Sequence, residues 1–218
     1  MSPMEPLAKP IDLPIRCACG VLRGRLREVS SESGNRCVCY CDDCQSFAHF
    51  LGRADEILDA NGGTDIFQMS SGRIEFSEGL AQLACLRLTE SGILRWYAAC
   101  CNTAIGNTPG TNRVPFVGLI HSCVDHTGEG LSRDRTLGPI RMRGFDRFAR
   151  GDRSGLEADD GVPASMQARV TAILQRAIES GEQGRSPFFE AEADEPRVSP
   201  RILTAAELSE VEAARDAR

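Results

Sequence analysis

The residues of this chain that could do chemistry are its cysteines, because seven of the ten lie in three tight clusters. The clusters are Cys17 with Cys19, then Cys39 with Cys41 and Cys44, and finally Cys100 with Cys101. Two thiolates at Cys-x-Cys or Cys-x-x-Cys spacing can reach one soft cation without strain, and zinc favours tetrahedral thiolate sites with Zn–S distances of about 2.3 Å. The spacing therefore predicts a zinc-thiolate protein rather than a disulfide-linked one.

The clusters divide into one closed and one open site. A Cys-x-Cys turn is half of a structural site, so the pair Cys17 and Cys19 needs a second pair from a distant part of the chain. Cys100 and Cys101 are the pair that remains downstream. The middle cluster offers three ligands, and three protein ligands leave a fourth position free, as in catalytic zinc sites. We therefore predict two Zn²⁺ sites, with the working metal at the middle cluster.

The middle cluster could instead be closed by a fourth protein ligand, which would make both sites structural. Cys37 lies two residues before the cluster, and His121 and Cys123 fall on one face of a predicted strand. Cys85 alternates with Leu83 and is predicted to point into the core as a small apolar residue.

Three thiolates favour sulfur chemistry over the activation of water. They leave the site with a net charge of about −1 on Zn²⁺, which weakens its Lewis acidity compared with a three-histidine site. Such a site is suited to holding a substrate thiol as its thiolate and exposing it to an electrophile such as an aldehyde. This argues for carbon–sulfur bond formation or cleavage, with Cys39, Cys41 and Cys44 as the catalytic cluster.

Mainly β-structure is predicted to position these cysteines. The alternation of apolar residues predicts strands over Val21–Val29, Thr64–Met69 and Val114–Val124, and a hairpin over residues 81–98 that leads Trp96 and Tyr97 into Cys100. A short helix is predicted to begin inside the middle cluster, with Asp42 or Asp43 as its cap.

Three regions follow from composition along the chain. Residues 1–15 are expected to be a flexible arm, residues 16–150 a zinc-binding β-domain, and residues 151–218 a linker with a helical extension. In the extension, an apolar face of period 3.6 predicts a helix over Met166–Ile178, and Thr204 with Glu207 has the spacing of a capping box. The acidic, proline-bearing stretch 184–200 is expected to be poorly ordered.

Composition excludes several classes of function. The net charge is −6 and the isoelectric point about 5.2, which argues against a nucleic-acid partner. No stretch approaches the roughly 18–20 apolar residues of a membrane span, and residues 1–14 lack the apolar core of a secretory signal. A cytoplasmic, reducing location is therefore expected, where thiols stay free to bind metal.

The cysteine motifs resemble those of the glutathione-dependent formaldehyde-activating enzyme family, also called the centromere-protein-V-like zinc domain. The resemblance covers roughly residues 15–125 and is carried by Cys17-Ala18-Cys19-Gly20, Cys39-Tyr40-Cys41-Asp42-Asp43-Cys44 and Tyr97-Ala98-Ala99-Cys100-Cys101-Asn102-Thr103. It implies an Mss4-like antiparallel β-fold with a structural four-cysteine zinc, an open three-cysteine zinc, and carbon–sulfur lyase activity on a small thiol adduct, with a thiol such as glutathione as partner.

The chain departs from the family pattern at the third motif. Ala98 stands where the family has its first cysteine, while Cys101 matches the second. Cys100 therefore either supplies the fourth ligand from a shifted position or stays unbound, because adjacent side chains diverge along an extended backbone. Tyr40 replaces a family histidine without the loss of a ligand.

Two further classes of function stay open at the level of the sequence. One is a non-enzymatic, zinc-stabilised binding module, and the other is a thiol redox or metal-homeostasis protein. A basic stretch with Arg141, Arg143 and Arg147 could bind a carboxylate-bearing ligand such as a peptide thiol, or could form a solvated basic edge.

Overall fold

A computed structural model describes residues 7, 9–128, 130–156, 162–191 and 193–217, which form eleven strands and five α-helices. The strands are β1 Ile11–Arg16, β2 Arg23–Val29, β3 Asn35–Cys39, β4 Thr64–Met69, β5 Ile74–Glu78, β6 Leu83–Arg87, β7 Leu94–Ala98, β8 Thr103–Thr108, β9 Val117–Ile120, β10 Met142–Gly144 and β11 Arg201–Ile202. The helices are α1 Asp42–Phe50, α2 Ala54–Ile57, α3 Arg133–Thr136, α4 Ala164–Glu179 and α5 Ala205–Asp216. The prediction of a mainly β chain with C-terminal helices is confirmed.

The strands form two sheets. The smaller is antiparallel with the order β1-β2-β5, and the larger has the order β10-β3-β4-β9-β8-β7-β6-β11. Its inner ladders are antiparallel, including the predicted hairpin, in which Leu83 pairs with Ala98. The two edge strands of the larger sheet are parallel to their neighbours, β10 to β3 and β11 to β6. The prediction of an antiparallel fold did not include these two parallel pairs. Within the described ranges, no helix is long and apolar enough to cross a bilayer.

The predicted arm is shorter than expected, since residues 11–15 belong to β1. Leu13 and Ile15 are buried in the core, and β1 pairs along β2 with a bulge near its start. Pro14 obscured the alternation in the sequence, but proline is tolerated on an edge strand, and β1 is the edge of its sheet. Residues 1–6 and 8 lie outside the described residues.

The stretch 184–200 contributes to the main core, which corrects the expectation of poor order. Phe188 and Phe189 are fully buried, and the ring centroid of Phe188 lies 5.0 Å from that of Trp96. Two adjacent aromatic rings bury enough apolar surface to fix an otherwise acidic and proline-bearing segment. Trp96 is a fully buried core residue.

The helical extension packs back onto the β-structure. Helix α4 contacts β3 and β4 through its predicted apolar face, on which Met166, Ile173 and Ala177 are buried. Helix α5 begins with the predicted capping box between Thr204 and Glu207 and packs against α1. Part of the predicted linker falls on residues 157–161, which lie outside the described residues.

Candidate metal centres

Four cysteines, Cys17, Cys19, Cys100 and Cys101, form a four-sulfur group. Its first half is a tight turn directly after β1. The amide of Gly20 donates to the carbonyl of Cys17 at 2.9 Å, and Gly20 has a φ of 75°, a left-handed conformation that favours glycine. This turn brings Cys17, which is buried, and Cys19, which is exposed, to the same side.

The second half is the turn that joins β7 to β8. The amide of Cys101 donates to the carbonyl of Ala98 at 3.3 Å, and Asn102 has a left-handed φ of 54°. The backbone at Cys100 is therefore turned rather than extended, so the expected divergence of adjacent side chains does not occur. A hydrogen bond of 2.9 Å from the Ala18 amide to Thr103 Oγ1 holds the two halves together.

The four sulfurs have the spacing of one tetrahedral site. Sγ–Sγ distances are 3.5 Å for Cys17–Cys19, 3.3 Å for Cys19–Cys100, 3.7 Å for Cys17–Cys100 and 3.9 Å for Cys100–Cys101. Four sulfurs at about 2.3 Å from one zinc ion would be about 3.8 Å apart. All four lie within 4.8 Å of one another, so this group could hold a metal ion and includes Cys100.

One thiol of this group is disposed to ionise. Burial opposes ionisation of Cys101, but hydrogen bonds from Thr103 and from the Cys19 backbone and thiol outweigh it and lower the pKa of Cys101 to about 6. Burial, together with its sulfur neighbours, raises the pKa of Cys100. A thiolate already present at neutral pH is the form that binds a cation.

Cys39, Cys41 and Cys44 form a three-sulfur group at the junction between β3 and α1. Cys39 ends β3, Cys41 is the N-cap of α1, and Cys44 lies in its first turn, with its amide donating to the Cys41 carbonyl at 3.0 Å. Cys39 Sγ and Cys41 Sγ are 3.3 Å apart, and all three sulfurs lie within 4.8 Å of one another. This group could therefore hold a second metal ion.

The expected aspartate cap of α1 is wrong. Cys41 occupies the N-cap position, and no side chain there accepts a capping hydrogen bond. Asp42 and Asp43 are instead the first residues of the helix, where carboxylates interact favourably with the helix dipole. The three-cysteine group and the helix start share the same residues, so the cap position is taken by a thiol.

Arg95 is a member of this site that sequence reasoning missed. It lies in β7 and is 2% exposed. Its Nη1 is 3.9 Å from Cys44 Sγ, and its Nη2 donates to Asp43 Oδ2 at 3.1 Å. Its guanidinium also lies 5.6 Å from the ring centroid of Phe47. The signal in the sequence was a single charge between the core residues Leu94 and Trp96.

Arg95 contributes to the electrostatics of the three thiols. Hydrogen bonds from Cys39 and Cys41 lower the pKa of Cys44 well below its usual range against the effect of burial, and Arg95 lowers it further. Hydrogen bonds to Cys41 and to Cys44, together with burial, raise the pKa of Cys39. Cys44 is therefore the thiol of this group that ionises first.

None of the alternative closing ligands joins the three sulfurs. Cys37 is buried in the same apolar cluster as Cys44, but it lies outside the metal-binding group. His121 Nε2 contacts the carbonyl of Ile57 at 3.1 Å, and Cys123 Sγ donates to the carbonyl of Ile120 at 3.2 Å. In the described part of the chain, the second group therefore has three ligands. Cys85 is a buried core residue, and burial raises its pKa to about 12.

The three sulfurs face a cavity of about 610 Å³. Apolar side chains from separate parts of the chain line it together with Cys37 and with polar residues, which are Asp42, Asp43, Gln68, Ser91, Arg95 and Asn107. The apolar residues include Ile66, Ile93, Phe116, Phe148, Val162 and Met166. A cavity of this size can admit a small molecule to the open side of the sulfur group.

The fold and the sulfur groups thus define a mainly β protein with two cysteine clusters that could hold metal. The chain belongs to a family of unknown function, DUF6151, whose model matches residues 9–197. No curated protein matches it. It is similar to the crystal structure of a Rhodobacter sphaeroides protein with 14% identity and a TM-score of 0.38, over 60% of this chain and 99% of that one.

We expect purified protein to contain about two zinc ions per chain, one of which leaves first under mild chelation. The three-sulfur group has one ligand fewer and faces a cavity, so its ion should leave first. Cys19 and Cys100 of the four-sulfur group are exposed, but that group would hold its ion with four ligands. Elemental analysis after stepwise chelation measures this. Two ions that leave together, or two that resist equally, would contradict the difference between the groups.

Proposed function

We propose that this chain is a zinc protein with one structural and one working site. Cys17, Cys19, Cys100 and Cys101 would hold the structural ion, and Cys39, Cys41 and Cys44 the second, with one position left for a small thiol. The observation that carries the proposal is a group of three convergent thiols, with no fourth ligand among the described residues, on the wall of a cavity.

The residues fit zinc. Both groups consist of sulfur alone, which suits zinc and other soft cations and excludes magnesium and calcium, which prefer oxygen. The Sγ–Sγ distances of 3.3 to 3.9 Å bracket the value of about 3.8 Å for a tetrahedral zinc site. Thiolate character in each group, at Cys44 and Cys101, supplies the charge that the cation needs.

The reaction class that this site supports is carbon–sulfur bond formation or cleavage on a small thiol adduct. A bound zinc ion would supply stabilisation of the substrate thiol as a thiolate. Arg95 would balance the negative charge of an incoming thiolate next to the three protein thiolates. The cavity walls would exclude water from the adduct. The resemblance of the cysteine motifs to the formaldehyde-activating family supports the same chemistry.

The proposal is tested by the exchange of a thiol adduct. NMR exchange spectroscopy of formaldehyde with glutathione, and with a panel of other thiols, should show faster adduct exchange when the zinc-loaded protein is present. Absence of acceleration with every thiol, while two zinc ions stay bound, would overturn the lyase function and leave a zinc-stabilised binding module.

We expect Arg95→Met to weaken the binding of thiolates and to slow exchange by at least about tenfold. The substitution removes the buried cation next to Cys44, and a tenfold change in affinity corresponds to about 1.4 kcal/mol. Methionine fills a similar volume, and Asp43 is 63% exposed and can return to water. Cys44 and the buried Asn107 each lose a partner, so we expect stability to fall by about 1–3 kcal/mol.

The matched control for this prediction is Arg25→Met, which removes an arginine from the surface of β2, away from the cavity. Its side chain is 53% exposed, and its ion pair with Glu75 is of the weak surface kind. Thiol affinity is measured by titration and stability by urea unfolding. Equal thiol affinity in both variants would show that Arg95 has no role in binding.

A further inference from the structure

Resting on the proposed function, we infer that the three-sulfur site takes an apolar thiol, aryl or branched alkyl, or the aldehyde adduct of such a thiol. A charged peptide thiol such as glutathione is then a poor ligand. The geometry points to this class because much of the cavity wall is apolar, whereas the side chains that contact the sulfurs are polar and charged.

The cationic side chain in the described lining of the cavity is already engaged by its neighbours. Arg95 is the single basic residue among the described residues that line it, and its guanidinium is shared by Asp43 at 3.1 Å, Asn107 Oδ1 at 3.5 Å and Cys44 Sγ at 3.9 Å. Asp42 adds a second carboxylate to the lining. The net charge of these side chains is therefore negative before any thiolate enters.

Glutathione brings two carboxylates and one ammonium group into this environment. A carboxylate that leaves water needs a cation or several donors to offset its desolvation. The arginines that the sequence offered for this purpose lie elsewhere. Arg141 donates to Glu32 at 2.8 Å, Arg143 donates a hydrogen bond to Tyr40, and Arg147 lies 4.6 Å from the ring centroid of Phe148. None of the three lines the cavity. The carboxylates of a peptide thiol would thus enter without a free cationic partner.

The walls offer apolar contact instead. Ile66 of β4 and Met166 of α4 are almost completely buried, and Phe116, Phe148 and Val162 add further apolar surface from three other segments. The volume of about 610 Å³ leaves room for a ring or a branched chain beside the sulfurs, because it falls in the range of ordinary small-molecule sites. Burial of that group is the source of affinity.

The chemistry needs no further reactant when the ligand is a thiol and the electrophile an aldehyde. The sulfur–carbon bond forms as the carbonyl π bond breaks, and the thiol proton ends on the oxygen of the resulting hemithioacetal. The reverse reaction returns the same thiol and aldehyde. No electrons are gained or lost, so an oxidant is not required.

The test is a binding titration on protein loaded with cobalt in place of zinc, in which thiol coordination changes the visible spectrum. The thiols are 2-phenylethanethiol, glutathione, 3-mercaptopropionate and 2-mercaptoethanol, and retention of both metal ions is measured at each point. The expected Kd for 2-phenylethanethiol is at least about tenfold below that for each of the other three. Mercaptoethanol, which is small, polar and uncharged, separates apolar contact from charge.

A pair of surface variants locates the contact. Ile93 lines the cavity and is 45% exposed, so Ile93→Asp should fold normally and weaken 2-phenylethanethiol binding by about fivefold or more. Ile178, on the outer face of α4, is 48% exposed and outside the cavity, and Ile178→Asp should leave binding unchanged.

The outcomes separate the two levels of the proposal. Glutathione binding that equals or exceeds that of 2-phenylethanethiol would overturn the inference and leave the proposed function intact. Equal effects of Ile93→Asp and Ile178→Asp would also overturn it. No spectral change with any thiol, while both ions stay bound, would overturn the proposed function and the inference together.

Discussion

Cys41→Ser is expected to lose one of two bound zinc ions and all acceleration of thiol-adduct exchange, while the fold stays intact. Cys41 is half-buried and supplies one of only three sulfurs in its group, so its loss leaves two ligands. Two ligands are too few to retain zinc against buffer and water. Cys41 is also the N-cap of α1, where serine is a favoured residue, so the helix start is preserved.

The control for Cys41→Ser is Cys37→Ser, which changes a buried cysteine that lines the same cavity but lies outside the sulfur group. It should keep two zinc ions and full exchange activity, at some cost in stability from a buried hydroxyl. Elemental analysis, NMR exchange and circular dichroism measure the three properties. Loss of an ion from Cys37→Ser would show that a fourth sulfur closes the second site.

Cys19→Ser is expected to reduce the free energy of unfolding by about 4 kcal/mol or more. Its side chain is exposed, so the substitution creates no cavity, and the loss is attributable to the metal. The four-sulfur group joins the end of β1, in the smaller sheet, to the β7–β8 turn of the larger sheet. Removal of the ion therefore releases the connection between the two sheets.

A double-mutant cycle sharpens this prediction. Cys100→Ser removes the other exposed ligand of the same group and should cost about as much as Cys19→Ser. The double variant should cost little more than either single one, because the same ion is lost once. Urea unfolding of the zinc-loaded proteins measures all three values. Additive costs, or single costs below about 1 kcal/mol, would contradict a structural role for the metal.

Local features of the sequence predicted the local structure well. Three predictions that depend on spacings of a few residues are confirmed. They are the hairpin over residues 81–98, the helix that begins inside the middle cluster and the capping box at Thr204. The sequence also indicated that Cys17 and Cys19 need a distant cysteine pair, because zinc sites require paired clusters, but it left Cys100 as either a ligand or unbound. In the structure Cys100 lies 3.7 Å from Cys17, although 83 positions separate them.

Features that depend on distant packing were missed. Arg95 of β7 reaches Cys44 of α1 through the tertiary fold, and no spacing in the sequence indicates that contact. Cys100 and Cys101 converge in a turn in which Asn102 is left-handed. The cysteine motif in the sequence did not indicate that conformation. Phe188 and Phe189 stand in a segment whose average composition indicated disorder, and two buried rings outweigh that average.

The position of Phe188 and Phe189 sets an order of events during synthesis of the protein. The ring of Trp96 is covered by residues made some ninety positions later, so the nascent β-sheets leave the ribosome with an uncovered aromatic surface. The covering of Trp96 must wait until about residue 190 has emerged from the exit tunnel. A fragment cut at residue 150 would keep all of its cysteines and still present that surface to chaperones.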